Sequence, residues 1–305
     1  MSASPKFVHL ILATRPAFLT IAAVGCLIGF ALSYHQAGRV DVLACLLAIG
    51  IAVVGQASAN VINDYFDALS GTDAVNVDRI SPFTGGSRLI QDAVLTRAQV
   101  KAIGVTTIVL ASLAGALLLE RLNAWHLIWV GCAGLFIGWA YSAEPFRLMG
   151  RGVWGEFAII AAWTLIVAGS ASLQTHLVDM TAIMVGIAYG LPVANILYAN
   201  QIPDIVADRS VGKMTLAVRT PAQQHWIWYA LFAALSWAIV IGLVAVGPLP
   251  MTALFSLIGL PHSVAAIRGL MKTPLPRPVM TACIKQTILA AHLFGLGLAV
   301  GIATG

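Results

Sequence analysis

Residues Asn60 to Asp78 read NVINDYFDALSGTDAVNVD and hold four of the chain's twelve acids at the end of a long apolar run. Asn60 precedes Asp64 by four residues, so a helix would place the pair on one face, with Asp67 a turn further on. A second stretch, NQIPDIVADRSVGK from Asn200 to Lys213, repeats the pattern with Asn200, Asp204 and Asp208. Acids at the C-terminal end of an apolar helix face the negative end of its dipole and need a cation among them. An all-oxygen donor set suits magnesium, which keeps several waters and is commonly completed by substrate phosphates. Solvated loop acids are the plain alternative for one such cluster, but two clusters with matched spacing argue against it.

Outward from these motifs the chain is strongly apolar. Of its 305 residues 59% are hydrophobic and 10% charged, and the mean hydropathy is +0.90, which excludes an ordinary soluble domain. The apolar runs extend from end to end, so the expected fold class is all-α, one polytopic membrane domain over 1–305. Nine segments near bilayer-spanning length are expected at 17–34, 42–66, 98–119, 124–143, 153–173, 180–199, 225–246, 250–270 and 284–302. No small-residue cleavage site follows the first, so it is expected to remain as a helix.

Net charge of +5 reports membrane topology here, not nucleic-acid binding. With the N-terminus inside, nine crossings put fifteen basic residues, Lys6 and Arg15 among them, on the cytoplasmic side, and only Arg39 and Arg121 outside. That asymmetry is a positive-inside signal and places the C-terminus outside. Four segments separate the two acidic motifs, so both face the cytoplasm, and the equal placement hints at an internal duplication. The linkers that carry them, 67–97 and 200–224, are the longest in the chain, as functional loops often are.

Further candidates lie on the same side. Gly85-Gly86-Ser87 could offer backbone N–H groups to an anion, and Arg79 and Arg88 could pair with phosphate oxygens. The link YSAEPFRLMGRGVWGE supplies Tyr141, Arg147 and Arg151, which also fit as an interfacial anchor and topology-setting charges. Lys213, on a turn after Gly212, suits a point contact to diphosphate. The four cysteines lie in apolar runs without metal-ligand spacing, and none of the seven histidines falls in an acidic motif, so neither a zinc site nor a histidine-centred hydrolase is expected.

NDYFD with GTD, DIVADRSVGKMTLAVR, Arg15-Pro16 and the YSxxPxRL string from Tyr141 to Leu148 resemble the UbiA superfamily of intramembrane prenyltransferases over nearly the whole chain. They are most similar to the branch that prenylates 1,4-dihydroxy-2-naphthoate in menaquinone synthesis. The resemblance implies a UbiA-like helical bundle in a bacterial or archaeal cell membrane. It implies a polyprenyl diphosphate donor, an aromatic acceptor and magnesium, two ions in number, held by Asn60, Asp64, Asp67, Asp204 and Asp208, with Asp73 as a further acid. Two departures stand out: Gly71 where the strict NDxxDxxxD form has its third acid, and Met149 where a lysine is common, leaving Arg151 as a substitute. Other acceptors, such as 4-hydroxybenzoate, a tetrapyrrole or a glycerol phosphate lipid, are compatible with the same metal site. A cation-coupled transporter is the rival class, but transporter acids usually lie near the bilayer midplane.

Overall fold

The computed structural model describes residues 7–305; Lys6, counted above among the inward charges, lies outside the described residues. A short helix α1 (Phe7–Ala13) leads through Arg15 into α2 (Thr20–Ala37), α3 (Val42–Ser70) and the one-turn α4 (Thr72–Val75). After a loop come α5 (Arg97–Arg121), α6 (Ile128–Ser142), α7 (Trp154–Thr175) and α8 (Met180–Gln201). Two short helices, α9 (Ile205–Ser210) and α10 (Leu216–Arg219), precede α11 (His225–Val246), α12 (Leu260–Leu270) and α13 (Arg277–Thr304). Among the described residues the only strand pairing is a two-residue parallel bridge, β1 (Arg151–Gly152) with β2 (Met214–Thr215), which ties the α6–α7 link to the second motif.

Eight of the described helical stretches are long and apolar enough to cross a membrane. The apolar segment expected at 124–143 folds as a 3-10 turn, Trp125–Leu127, and the 15-residue α6. Asn123, left-handed at φ 50°, ends the helix before it, and the chain turns extended at Ala143, two residues ahead of Pro145, where a helix is disfavoured. At 29 residues α3 is about 43 Å long, more than the ~30 Å of a hydrocarbon core, so one end must stand in the interface. Its N-terminus is capped by Asp41, which accepts from the Ala44 N–H and pairs with Arg121 at 2.7 Å, while its acids sit at the opposite end. Asp179 caps α8 in the same way.

The main core joins α2, α7, α8, α11 and α13, where Ile28, Tyr189, Phe294 and Leu298 are fully buried. Lipid supplies no hydrophobic drive between helices, so close backbone approach and interhelical hydrogen bonds hold them together. Gly186 and Gly190, four apart on α8, face the backbone of α7 closely: a Cβ on Gly190 would stand 2.8 Å from Ile160 Cα, and one on Gly186 2.7 Å from Thr164 Cα. Tyr189 donates to the Ile21 carbonyl at 3.0 Å, Ser33 to Ala171 at 3.0 Å and Ser236 to Ala188 at 2.7 Å, each from a buried hydroxyl. By contrast only 17% of the most apolar part of α5 is buried, with Val105, Leu110, Leu113 and Leu117 exposed, a surface suited to acyl chains.

If these glycines set the α7–α8 spacing, Gly190→Val should lose about 2 kcal/mol of stability through overpacking. Gly242→Val on α11, where an added Cβ meets nothing within 4 Å, should leave stability unchanged. Thermal unfolding of the two purified variants in one detergent makes the comparison, and equal midpoints would reject close packing as the determinant.

Candidate functional site

The C-terminal turns of α3 present Asp64 and Asp67 on one buried face, 4% and 5% exposed. Asn60 lies on the same helix, half-buried, and donates to the Thr14 carbonyl at 2.9 Å. Gly71, left-handed at φ 80°, ends α3 and turns the chain into α4, where Asp73 is buried. That turn accommodates the departure from the strict motif, since the acid displaced to position 73 returns to the cluster. Both Asp73 and Asp64 close on the Gly85-Gly86 turn: a Cβ on Gly86 would meet Asp73 Oδ2 at 2.7 Å and Asp64 Oδ1 at 3.1 Å. Gly86 has φ +70°, so both backbone and space require glycine.

The second motif is built differently. Asn200 and Asp204 were expected on one helical face, but α8 ends at Gln201, and Asp204 stands at the residue before the separate helix α9, its side chain making no capping bond. Pro203 accounts for the break, because it cannot continue the hydrogen-bond ladder of α8. Asp208 follows on α9, 2% exposed. Asn200 stays in the last turn of α8 with a buried, unpaired Oδ1.

Two contacts join the motifs. Lys213 Nζ lies 3.3 Å from Asp67 Oδ1 and 3.5 Å from Asp208 Oδ1, and Asn76 donates to Asp204 Oδ1 at 2.7 Å. Arg15 pairs with Asp64 Oδ1, and the Ser87 N–H donates to Asp64 Oδ2 at 3.0 Å. The glycine-serine turn thus directs its N–H at a carboxylate of the protein itself. Gln91 reaches Asp73 Oδ2 at 3.4 Å. Protein donors therefore occupy the carboxylates, and among the described residues no three His, Cys, Asp or Glu side chains are arranged to hold a metal ion as they stand.

The remaining candidates separate by position. Arg88 binds the Asp73 carbonyl at 2.8 Å and lies 3.6 Å from Asp92, so it secures the loop. Arg147 carries a buried Nη2 without a partner, a spare donor, and its Nε would lie 3.9 Å from a Cβ on Gly150, beside the Lys213 stem. Tyr141 is half-buried within electrostatic reach of Lys213 and Asp67. Arg79 packs its stem under Gly85, and its carbonyl accepts from Arg277 at 2.7 Å. Arg151, offered as the substitute for the missing lysine, is exposed and donates to the Pro145 carbonyl; it pairs in the bridge with Met214, the residue after Lys213, and among the described residues no ion pair joins it to the acids. Arg15, Asn63, Asn76 and Gln91 were not selected as site residues from sequence. Asn63 donates to Ser142 Oγ at 3.3 Å and to Met149 Sδ at 3.0 Å, linking α3 to the α6–α7 link. Its place beside Asp64, and the lone arginine of Arg15-Pro16 before the first span, were the available signals.

Five acids face two directly paired cations, Arg15 and Lys213, so carboxyl groups outnumber the cations that neutralise them. Burial first, and then the charges of Asp67 and Asp64, push the Asp73 carboxyl up to about 7. Burial pushes Asp208 up to about 6 against the pull of Lys213, and raises Asp204 despite its bond from Asn76. Hard oxygen donors short of positive charge fit magnesium.

A sequence model of the UbiA prenyltransferase family matches residues 22–278. The 1,4-dihydroxy-2-naphthoate octaprenyltransferase of Escherichia coli is 30% identical over 93% of this chain and 92% of its own. The Bacillus subtilis protein of the same description is 27% identical over 95% and 90%. A solved UbiA homolog from Archaeoglobus fulgidus, bound to DMAPP and Mg2+, superposes with a TM-score of 0.66 at 12% identity, covering 95% of this chain and 99% of that one. A digeranylgeranylglyceryl phosphate synthase structure gives 0.63 at 15%, covering 96% and 98%. At those identities the two structures establish the fold.

The raised carboxyls have a consequence for the metal-free protein. Folded Asp73 and Asp208 retain protons above the ordinary carboxyl value of 3.8, so between about pH 4 and 7 the folded state binds more protons than the unfolded one. Stability from this source is full below pH 4 and declines as pH rises through that window. In chelator, the melting temperature of the wild type relative to Asp73→Asn should therefore fall from pH 5 to pH 8; a pH-independent difference would refute it.

Proposed function

The chain belongs to the UbiA prenyltransferase family and is a prenyltransferase, and from that premise we propose a magnesium-dependent transfer of a polyprenyl group from its diphosphate to a small aromatic acceptor. The acceptor that the relatives favour is 1,4-dihydroxy-2-naphthoate, as in menaquinone biosynthesis. The observation that carries the reading is the meeting of two acidic motifs, 146 residues apart at Asp67 and Lys213, in one cluster with an excess of negative charge. The proposed topology counts α6 as a ninth crossing and places both motifs at the cytoplasmic face of a single membrane-embedded domain, with the N-terminus inside and the C-terminus outside. The fifteen-to-two distribution of basic residues supports it.

In this reading Asp64, Asp67, Asp73, Asp204 and Asp208, with the Asn60 side-chain oxygen, hold magnesium, two ions in number. Magnesium so held supplies the positive charge that stabilises a departing diphosphate. Lys213 and the spare Arg147 donor orient the diphosphate oxygens, and Arg15 and the Ser87 N–H keep Asp64 in place. The bond between C1 of the prenyl chain and the diphosphate oxygen breaks, both electrons leaving with the diphosphate. An electron-rich ring carbon of the acceptor then bonds to the allylic cation, and loss of a proton, or of carbon dioxide from a carboxylated ring carbon, restores aromaticity. The apolar bundle and the bilayer around it would keep bulk water from that cation.

Incubating the purified protein with magnesium, geranylgeranyl diphosphate and a panel of aromatic acceptors, with products read by mass, tests the reading. Prenylated naphthoate is expected, and Asp64→Ala or Asp204→Ala should abolish its formation, at least 100-fold by the ~10² or more per electrostatic group at such sites, in protein that still unfolds cooperatively. Full activity in either variant would remove the two-motif site.

A further inference from the structure

We propose that Lys213 is a tethered stand-in for a metal ion, holding the two acidic motifs together until magnesium displaces it; the proposal rests on the magnesium-diphosphate reading of the site. Its ammonium sits between one acid from each motif, 3.3 Å from Asp67 Oδ1 and 3.5 Å from Asp208 Oδ1, with the side chain only 12% exposed. The position is fixed by its backbone: the Lys213 N–H donates to the Asp208 carbonyl at 2.8 Å, and the next two residues form the bridge to Arg151–Gly152. An ammonium held there and a magnesium ion bound at about 2.1 Å by the same oxygens exclude one another, by contact and by like charge.

Exchange is easy to accommodate. Lysine has a flexible four-carbon stem, and Gly212 before it takes a left-handed turn, φ +73°, with nothing within 4 Å of the place a Cβ would occupy. An ammonium released into the site finds a new partner only when an anion arrives, and the diphosphate is that anion. Lys213 therefore couples the two ligands: metal alone must compete with it, whereas a diphosphate takes the lysine and frees the carboxylates. The protein binds magnesium weakly by itself and more tightly with diphosphate, and it keeps the motifs assembled in the interval.

Manganese serves as the probe, its binding to the full-length protein in detergent followed by the loss of its free-ion resonance, without any diphosphate. Lys213→Gln should bind manganese about tenfold or more tightly than the wild type, a coupling of ordinary size, while Lys213→Arg, which keeps the competing cation, should match the wild type within about twofold. Melting gives the second measurement. In chelator Lys213→Gln should melt below the wild type, and saturating manganese should erase the deficit, whereas a purely structural lysine leaves the same deficit with and without metal. Lys213→Met provides the same comparison if the glutamine variant does not purify folded. Manganese affinity in Lys213→Gln equal to or weaker than wild type overturns the stand-in and leaves the metal site intact. No manganese binding by either folded protein overturns both.

Discussion

Negative charge gathered at the ends of apolar helices is the constraint to which the rest of this chain responds. Asp64 and Asp67 sit in the last two turns of α3, where unpaired carbonyls already make the helix end negative. Left alone they would repel one another and the helix end. The neighbouring polar structure answers this: Arg15 comes from the chain before the first span, Ser87 from a glycine turn that lets its N–H approach, and Lys213 from the second motif, while Asn76 of the first motif binds Asp204. These partners come from the stretch before the first span and from both long loops, so the cluster cannot form until the bundle has brought α3, α8 and the two loops to the same end.

Much of that was written locally and could be read. Apolar runs of spanning length, the four-residue spacing of Asn60 and Asp64, and the bias in basic residues are properties of short windows or of simple alternation. What escaped the sequence is what depends on a partner far away. Arg15 and Asp64 are 49 residues apart, and Asn63 meets Met149 across 86; no periodicity marks either contact. Asn200 and Asp204 show the converse error, a local pattern carried too far, because matched spacing suggested matched helices while Pro203 broke one of them. The two motifs resemble each other in letters and differ in backbone. Arg151 shows a local contact of the same kind: one of its guanidinium nitrogens donates to the Pro145 carbonyl in its own turn.

The scaffold divides the work between a tightly packed half and a lipid-facing one. α8 is the most enclosed of the spanning helices, 67% buried in its apolar part, locked to α7 by glycines and to α2 and α11 by buried hydroxyls and Asn195. α5, at 17%, presents most of its surface outward. The acids of α3 stand between these regimes. For the proposed reaction, one rigid wall and one side open to lipid would suit a site that takes an apolar donor and keeps its carboxylates in register.

The same geometry explains why the acids announce a reaction class more clearly than an acceptor. Carboxylates and cations that handle a diphosphate respond to a group common to every prenyl donor, and solved relatives with this fold include one described as a digeranylgeranylglyceryl phosphate synthase, at 15% identity. Fold and charge alone therefore leave the acceptor open. Discrimination between acceptors has to come from side chains that are polar but uncharged and held in one orientation, because a ring hydroxyl is recognised by a directed hydrogen bond whose loss leaves a buried group unpaired. Asn63 has these properties: it lies one residue from Asp64, is fixed by Ser142 and Met149, and faces the one link, residues 143–153, where this chain departs from the lysine of its resemblance. A neutral side chain held in this way, where α3 meets the end of α6, is the kind of group that can tell acceptors apart, whereas carboxylates and cations directed at a diphosphate are not.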